Sequence, residues 1–224
     1  MSVIHNIGKT EKAEMYLKAI LLIGYENPPA TVTKVAEFLG VSPASVSEMV
    51  KRMESNDLVV NTGTSIGLTE TGLQDARKLV RRMRLAERLL SDVLGLPLDQ
   101  VYEEACRLEH AISDAVEERI AAVLGEPDTC PHGHPIPLAA GRVDCPLAAS
   151  LTELRPGQAA TVVTVPERDP DLLRYLAGVG IRPGTEITVE DVAPFNGPLF
   201  LVVGGERQAV AREALEQVRV LPLN

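Results

Sequence analysis

Apolar residues recur at helical spacing through the first third of the chain. Tyr16, Ile20 and Ile23 form a stripe at i, i+4 and i+7, which predicts a helix capped by Thr10 and stopped by Asn27-Pro28-Pro29. A second, shorter helix is predicted after Thr33, with Val35, Ala36 and Leu39 inward and a turn at Gly40-Val41. Ser42 followed by Pro43 is a strong helix start, because the serine caps and the proline fits the first helical position. Val46, Met49, Val50 and Met53 then supply the inward face. Leu58-Val59-Val60 and Ile66-Gly67-Leu68, separated by the polar turn 61–65, predict two short strands. Three helices and a hairpin in this order make a winged helix-turn-helix.

Thr69 caps a long predicted helix, from Glu70 to about Leu90, whose Arg81, Arg82, Arg84 and Arg88 read as a solvated face or a phosphate contact. Gly95-Leu96-Pro97 breaks it. Further helix follows to Leu124, interrupted near Ala111-Ile112 because Ser113-Asp114 is a fresh cap. Ile112, Val116, Ile120 and Val123 suit packing against another helix and suggest a dimer interface. Residues 125–150 are rich in Pro and Gly and read as a linker. Beyond Leu151 the period changes to short β-runs at Ala159–Val165, Glu186–Val189, Leu199–Val203 and Val218–Val220, with one helix at Asp171–Ala177. These predict a five-strand SH3-like barrel. The expected organisation is mainly α with a small β domain: residues 1–72, 73–147 and 148–224.

The chemistry concentrates in Cys106, Glu109 and His110. On a helix the positions i, i+3 and i+4 share one face, so a thiolate, a carboxylate and an imidazole converge as a transition metal requires. A Cys–His nucleophile pair is the competing reading, but nothing nearby resembles an oxyanion hole or a third orienting group, which argues against an enzyme. With the helix-turn-helix upstream, the triplet suggests a metal sensor that reads DNA.

Charge and cysteine usage refine this. The net charge of −9 excludes a generally basic nucleic-acid binder, and residues 1–72 hold six Lys/Arg against eight Asp/Glu. DNA contact must therefore use a local face and two reading heads. Three cysteines do not make a disulfide framework and fit a reducing compartment. The start of the chain lacks a signal-peptide pattern, and no apolar run reaches the roughly 18 residues that span a membrane. Cytoplasm is the expected location, with no membrane partner and no organic cofactor.

The order of these features resembles the diphtheria toxin repressor family of metal-dependent regulators, almost end to end. The carrying residues are Ala13-Glu14-Met15-Tyr16-Leu17, Ser45-Val46-Ser47, Leu85-Ala86-Glu87-Arg88-Leu89-Leu90, and Glu104-Ala105-Cys106-Arg107-Leu108-Glu109-His110. The loop Pro131-His132-Gly133-His134-Pro135-Ile136-Pro137 fits as well. Leu154-Arg155-Pro156-Gly157 and Gly180-Ile181-Arg182-Pro183-Gly184 resemble the FeoA-like domain of iron-transport systems. The resemblance implies a principal metal site of Met15, Cys106, Glu109 and His110. It places Glu87 in an ancillary site, where Met83 and Tyr102 stand in positions that iron-type members fill with histidines, and Glu167 could complete the set. The alternative for Glu87 is a surface charge. The implied ion is Fe(II) or Mn(II), tilted toward iron by Met15 and Cys106, with Co(II), Ni(II) or Zn(II) able to substitute.

The same resemblance implies a repressor that binds double-stranded operator DNA as a homodimer. Ser42, Pro43, Ala44, Ser45, Ser47 and Glu48 lie at the end of the recognition helix that meets base edges, flanked by Lys34 and Lys51. Thr62 and Thr64 in the wing would touch phosphate through hydroxyls. Cys130, His132, His134 and Cys145 do not match zinc-finger spacing, so that loop reads as structural, with an independent zinc or redox site as the alternative. Two other classes compete with the sensor: a metal-trafficking adaptor without DNA binding, favoured by the acidic charge, and a DNA-binding regulator that senses redox state through its thiols.

Overall fold

Helix α1 (Ile7–Glu26) opens the computed structural model, which describes residues 7–138 and 148–223. It begins ahead of Thr10, so that residue lies within the helix and is not its cap. The cap of α2 (Val32–Leu39) is Thr31, not Thr33: Thr31 is extended and its hydroxyl accepts from the Lys34 amide at 3.3 Å. Gly40, in the left-handed region at φ +64°, ends α2 with its amide bonded back to that helix. Helix α3 (Pro43–Ser55) starts as its sequence requires, with the Ser45 amide donating to Ser42 Oγ at 3.1 Å. Strands β1 (Val59–Asn61) and β2 (Ile66–Leu68) pair antiparallel into the wing.

The inward faces of these elements share one core, built on Leu17, Ile20, Val35, Val46, Val50 and Val80. Because Ser42 satisfies an end of α3 that otherwise bonds only to water, Ser42→Ala is expected to cost about 1 kcal/mol. Urea unfolding of the chain should show the earlier midpoint, and an unchanged midpoint would mean that the cap contributes nothing.

Helix α4 (Glu70–Arg88) is capped by Thr69, whose hydroxyl accepts from the Gly72 amide at 3.1 Å, and continues as a π-helical turn, Leu89–Val93. The chain forms two compact units, and the division between them, after Arg82, falls within α4. In the second unit come α5 (Leu98–Leu108) and α6 (Asp114–Val123), interrupted where Ser113 caps α6. Met83, Ala86, Leu90, Val101 and Ala105 form the core of this helical part.

The rest of the second unit is a six-stranded antiparallel sheet, β3 (Ala149–Ser150), β4 (Ala159–Thr164), β5 (Glu186–Val192), β6 (Leu199–Val203), β7 (Glu206–Val210) and β8 (Arg219–Pro222), in the order β3-β8-β4-β5-β6-β7. The sequence predicts a five-strand barrel and locates four of its runs; the sheet has six strands, and the two without a located run are β3, only two residues long, and β7, whose Glu206-Arg207-Gln208 start carries no apolar alternation. Helices α7 (Pro170–Gly178) and α8 (Arg212–Leu215) complete it. Leu98 packs against both the helical core and the sheet core. Among the described residues no helix is long and apolar enough to cross a membrane.

Candidate metal centre

Residues 84, 87 and 88 fall on one side of α4 by helical spacing. Arg84 and Glu87 are buried, at 2% and 0% exposure, which corrects the expectation of solvated arginines and of a surface carboxylate. Arg84 Nη1 donates to the Pro135 carbonyl, and Arg88 Nε donates to the Thr129 carbonyl at 2.6 Å. The two arginines thus grip both ends of the loop 129–135. The loop closes on itself through Cys130 N to His134 O (2.8 Å) and Gly133 N to Cys130 O (2.9 Å), and Ile136 packs with Leu85 and Ala121. Gly133, at φ +88°, lies so close to β4 that a Cβ there would sit 1.8 Å from the Val163 carbonyl oxygen. Beside it the Val165 amide donates to the His132 carbonyl at 3.0 Å. Glu167 follows two residues later.

This folding brings Glu87, Cys130, His132 and Glu167 together, with one ligand atom of each within 4.8 Å of the others. All four are at most 4% exposed. His132 Nε2 faces the Leu98 carbonyl at 3.1 Å, which only accepts, so Nε2 carries the proton and Nδ1 turns inward. There Nδ1 lies 3.4 Å from Glu87 Oε1, an ion-pair distance without a well-aligned hydrogen bond. Burial pushes the Cys130 thiol well up, reinforced by the charges of Glu87 and Glu167. Burial alone would push His132 down, but Glu87, Glu167 and the Leu98 carbonyl together outweigh it and the net shift is upward. Two carboxylates, a thiol and an imidazole gathered in a dry site are costly as they stand, and a dication offsets that cost. One sulfur, one nitrogen and two oxygens suit a borderline divalent ion such as Zn(II), Fe(II) or Co(II), and the thiol must lose its proton to bind one.

The second group lies where α5 ends. The Glu109 amide still bonds Ala105 O at 2.9 Å, so the helical turn persists past Leu108. Glu109 is fully buried and its Oε1 lies 3.4 Å from His110 Nε2. The Cys106 thiol points at Met83, with Sγ 4.0 Å from Sδ, and also bonds Tyr102, whose phenol burial shifts upward. Glu109 and His110 therefore stand together, while Cys106 stands with Met83 and Tyr102. Met15 is a half-buried residue of α1 in the first unit.

Residues 9–65 match the N-terminal DNA-binding domain of the iron-dependent repressors, 69–138 their metal-binding and dimerisation domain, and 149–222 the FeoA domain. The iron-dependent repressor IdeR of Mycobacterium tuberculosis (strain ATCC 25618 / H37Rv) is 37% identical over 223 residues, covering 94% of this chain and 96% of its own. The chain belongs to the iron-dependent repressor family. The diphtheria toxin repressor of Corynebacterium diphtheriae is 34% identical over 192 residues, covering 81% of this chain and 85% of its own. A manganese-dependent transcriptional repressor solved in complex with manganese superimposes with a TM-score of 0.89 at 34% identity, covering 94% of this chain and 100% of that one.

In this family member the structure sets Glu87 and Glu167, the two carboxylates expected in the ancillary group, beside Cys130 and His132 of the loop, which reads in sequence as structural with a zinc or redox site as the alternative. His134 lies beside Glu167, and Cys145 lies outside the described residues. The available signal was the alternation Cys130-x-His132-x-His134 in a loop that β4 could reach. Ser42, Pro43, Ala44 and Ser45 are exposed at the start of α3, Glu48 and Lys51 are exposed further along it, and Ser47 is half-buried. Ser42 and Ser45 hydroxyls bond each other at 2.9 Å, and Glu48 pairs with Arg52 at 3.0 Å. Lys34 Nζ donates to the Asn27 carbonyl and side chain, anchoring the turn after α1. Thr62 and Thr64 are exposed in the wing, Thr62 bonded to Ser65.

Proposed function

We propose that the chain is a metal-dependent transcriptional repressor that binds operator DNA as a homodimer when loaded with Fe(II) or Mn(II). The observation that carries this reading is the buried Glu87–Cys130–His132–Glu167 cluster in a chain whose first unit is a winged helix-turn-helix. Family membership supports the same conclusion, since IdeR is named an iron-dependent repressor and the superimposed structure a manganese-dependent one. The proposed organisation keeps three functional parts: reading head 1–72, dimerisation and metal-binding helices 73–147, and FeoA-type domain 148–224. It acts in the cytoplasm and catalyses no reaction.

Two metal positions are assigned. The buried cluster holds one ion, tying α4, the loop and the sheet domain together. The second, activating ion is assigned to Cys106, Glu109, His110 and Met15, on the family resemblance and the Glu109–His110 pairing. A ligand set drawn from α1 and α5 makes metal favour one arrangement of the reading heads, which is how binding energy becomes DNA affinity. DNA contact is assigned to Ser42, Pro43, Ala44, Ser45, Ser47, Glu48 and Lys51, with Thr62 and Thr64 on phosphate. Lys34 contributes indirectly, through the turn it anchors.

The test is anaerobic fluorescence anisotropy with DNA from upstream of the protein's own gene, at fixed salt. Tight binding is expected with Fe(II) or Mn(II) and not with chelator. Cys106→Ala or His110→Ala should remove the metal stimulation while gel filtration still shows a dimer. Equal binding in chelator rejects the metal dependence, and a fully responsive mutant rejects the assigned activating site.

A further inference from the structure

His134 is the member of the loop motif that the metal cluster leaves unused. Its imidazole is mostly buried, and its Nε2 lies 3.1 Å from the Val165 carbonyl oxygen and 3.5 Å from Glu167 Oε2. Val165 is therefore held from two sides of the same loop. Its amide donates to the His132 carbonyl at 3.0 Å, and its carbonyl accepts from His134 Nε2. The carbonyl only accepts, which places the ring proton on Nε2, and burial favours the neutral imidazole.

These bonds matter because of where the ligands come from. Cys130 and His132 belong to the loop, whereas Glu167 arrives from the segment after β4, more than thirty residues away. Nothing in the local chain fixes the distance between the two. The Val165 bonds do, one residue either side of the loop's Gly133 and two residues before Glu167. We propose that His134 is a positioning residue for the metal cluster, setting the Glu167 carboxylate against Cys130 and His132 through its bond to Val165 and its contact with Glu167 itself. This rests on the assignment of a metal ion to that cluster. Outer partners of this kind typically contribute roughly 10- to 100-fold in metal affinity.

The experiment is competition titration of the full chain with Zn(II) against a chromophoric chelator, resolving the tighter of the two ions. His132→Gln comes first: it should lose the tight ion, and if it does not, the cluster assignment fails before His134 is in question. Given that loss, His134→Ala should weaken the tight ion by roughly 10- to 100-fold. His134→Gln, which keeps a side-chain N–H at similar reach, should recover most of it. The decisive comparison is a double-mutant cycle with Glu167→Gln. If His134 acts through Glu167, the double variant binds no more weakly than Glu167→Gln alone. Fully additive losses, or unchanged affinity in His134→Ala, overturn the proposal. Circular dichroism of the metal-free variants at the titration temperature confirms that they are folded, so that a weakened ion reports a displaced ligand and not an unfolded chain.

Discussion

Gly133→Ala is expected to lower Zn(II) affinity at the buried cluster by more than 100-fold, beyond the range that losing an outer-shell partner produces. Two effects combine. The residue sits at φ +88°, where a side chain costs roughly 1–2 kcal/mol. The added methyl would also overlap the carbonyl of Val163, a backbone atom at the irregularity of β4 between the paired residues Val162 and Thr164, which cannot rotate away as a side chain could. The loop must lift, and Cys130 and His132 lift with it, away from Glu87 and Glu167. The measurement is chelator competition, with far-ultraviolet circular dichroism confirming that the helices remain. Retained affinity would show that the close approach at Val163 does not set the site.

Cys130→Ser should be as damaging but for a chemical reason. The substitution nearly preserves volume, and the buried position at 1% exposure accepts it sterically. What is lost is the one soft ligand in the cluster. With Co(II) as the probe in a Cys106→Ala background, which removes the other thiol assigned to a metal, the protein should show a thiolate-to-cobalt charge-transfer band that disappears when Cys130→Ser is added. Affinity for Zn(II) should fall more than that for Mn(II), because the hard carboxylates remain. A charge-transfer band that persists in the Cys106→Ala/Cys130→Ser double variant would remove Cys130 from the ligand set.

The reading head was legible because its punctuation is local. Ser42-Pro43 announces a helix start within a few residues, as Ser113-Asp114 does in the second unit, and both serines are caps in the structure. Where the punctuation was doubled the reading slipped: Thr31 and Thr33 are equally good caps by type, and only the fold decides which is extended. Strand β7 was invisible for another reason. Most of Glu206–Val210 is solvent-facing at the edge of the sheet, so it shows no alternation and is held by pairing with β6. The metal cluster was half legible. Its four residues are spread from position 87 to 167, and neither their spacing nor their chemistry predicts that the loop lies across β4. Arg84 and Arg88, which hold that loop, look in sequence like any exposed basic face.

Leu98 gives the second unit a thermodynamic character that its architecture does not advertise. Its side chain is common to the helical core and the sheet core, and its carbonyl fixes the tautomer of His132. Neither core can melt without withdrawing a wall from the other and a hydrogen bond from the metal ligand between them. Helices and sheet are therefore coupled at this residue, and an ion bound at the cluster, which takes ligands from both parts, would stabilise both by the same mass-action term. If the proposed ion occupies the cluster, its removal withdraws that stabilisation from the described helices and sheet of the second unit together, so that ion supply would set how long the protein lasts as well as whether it is active.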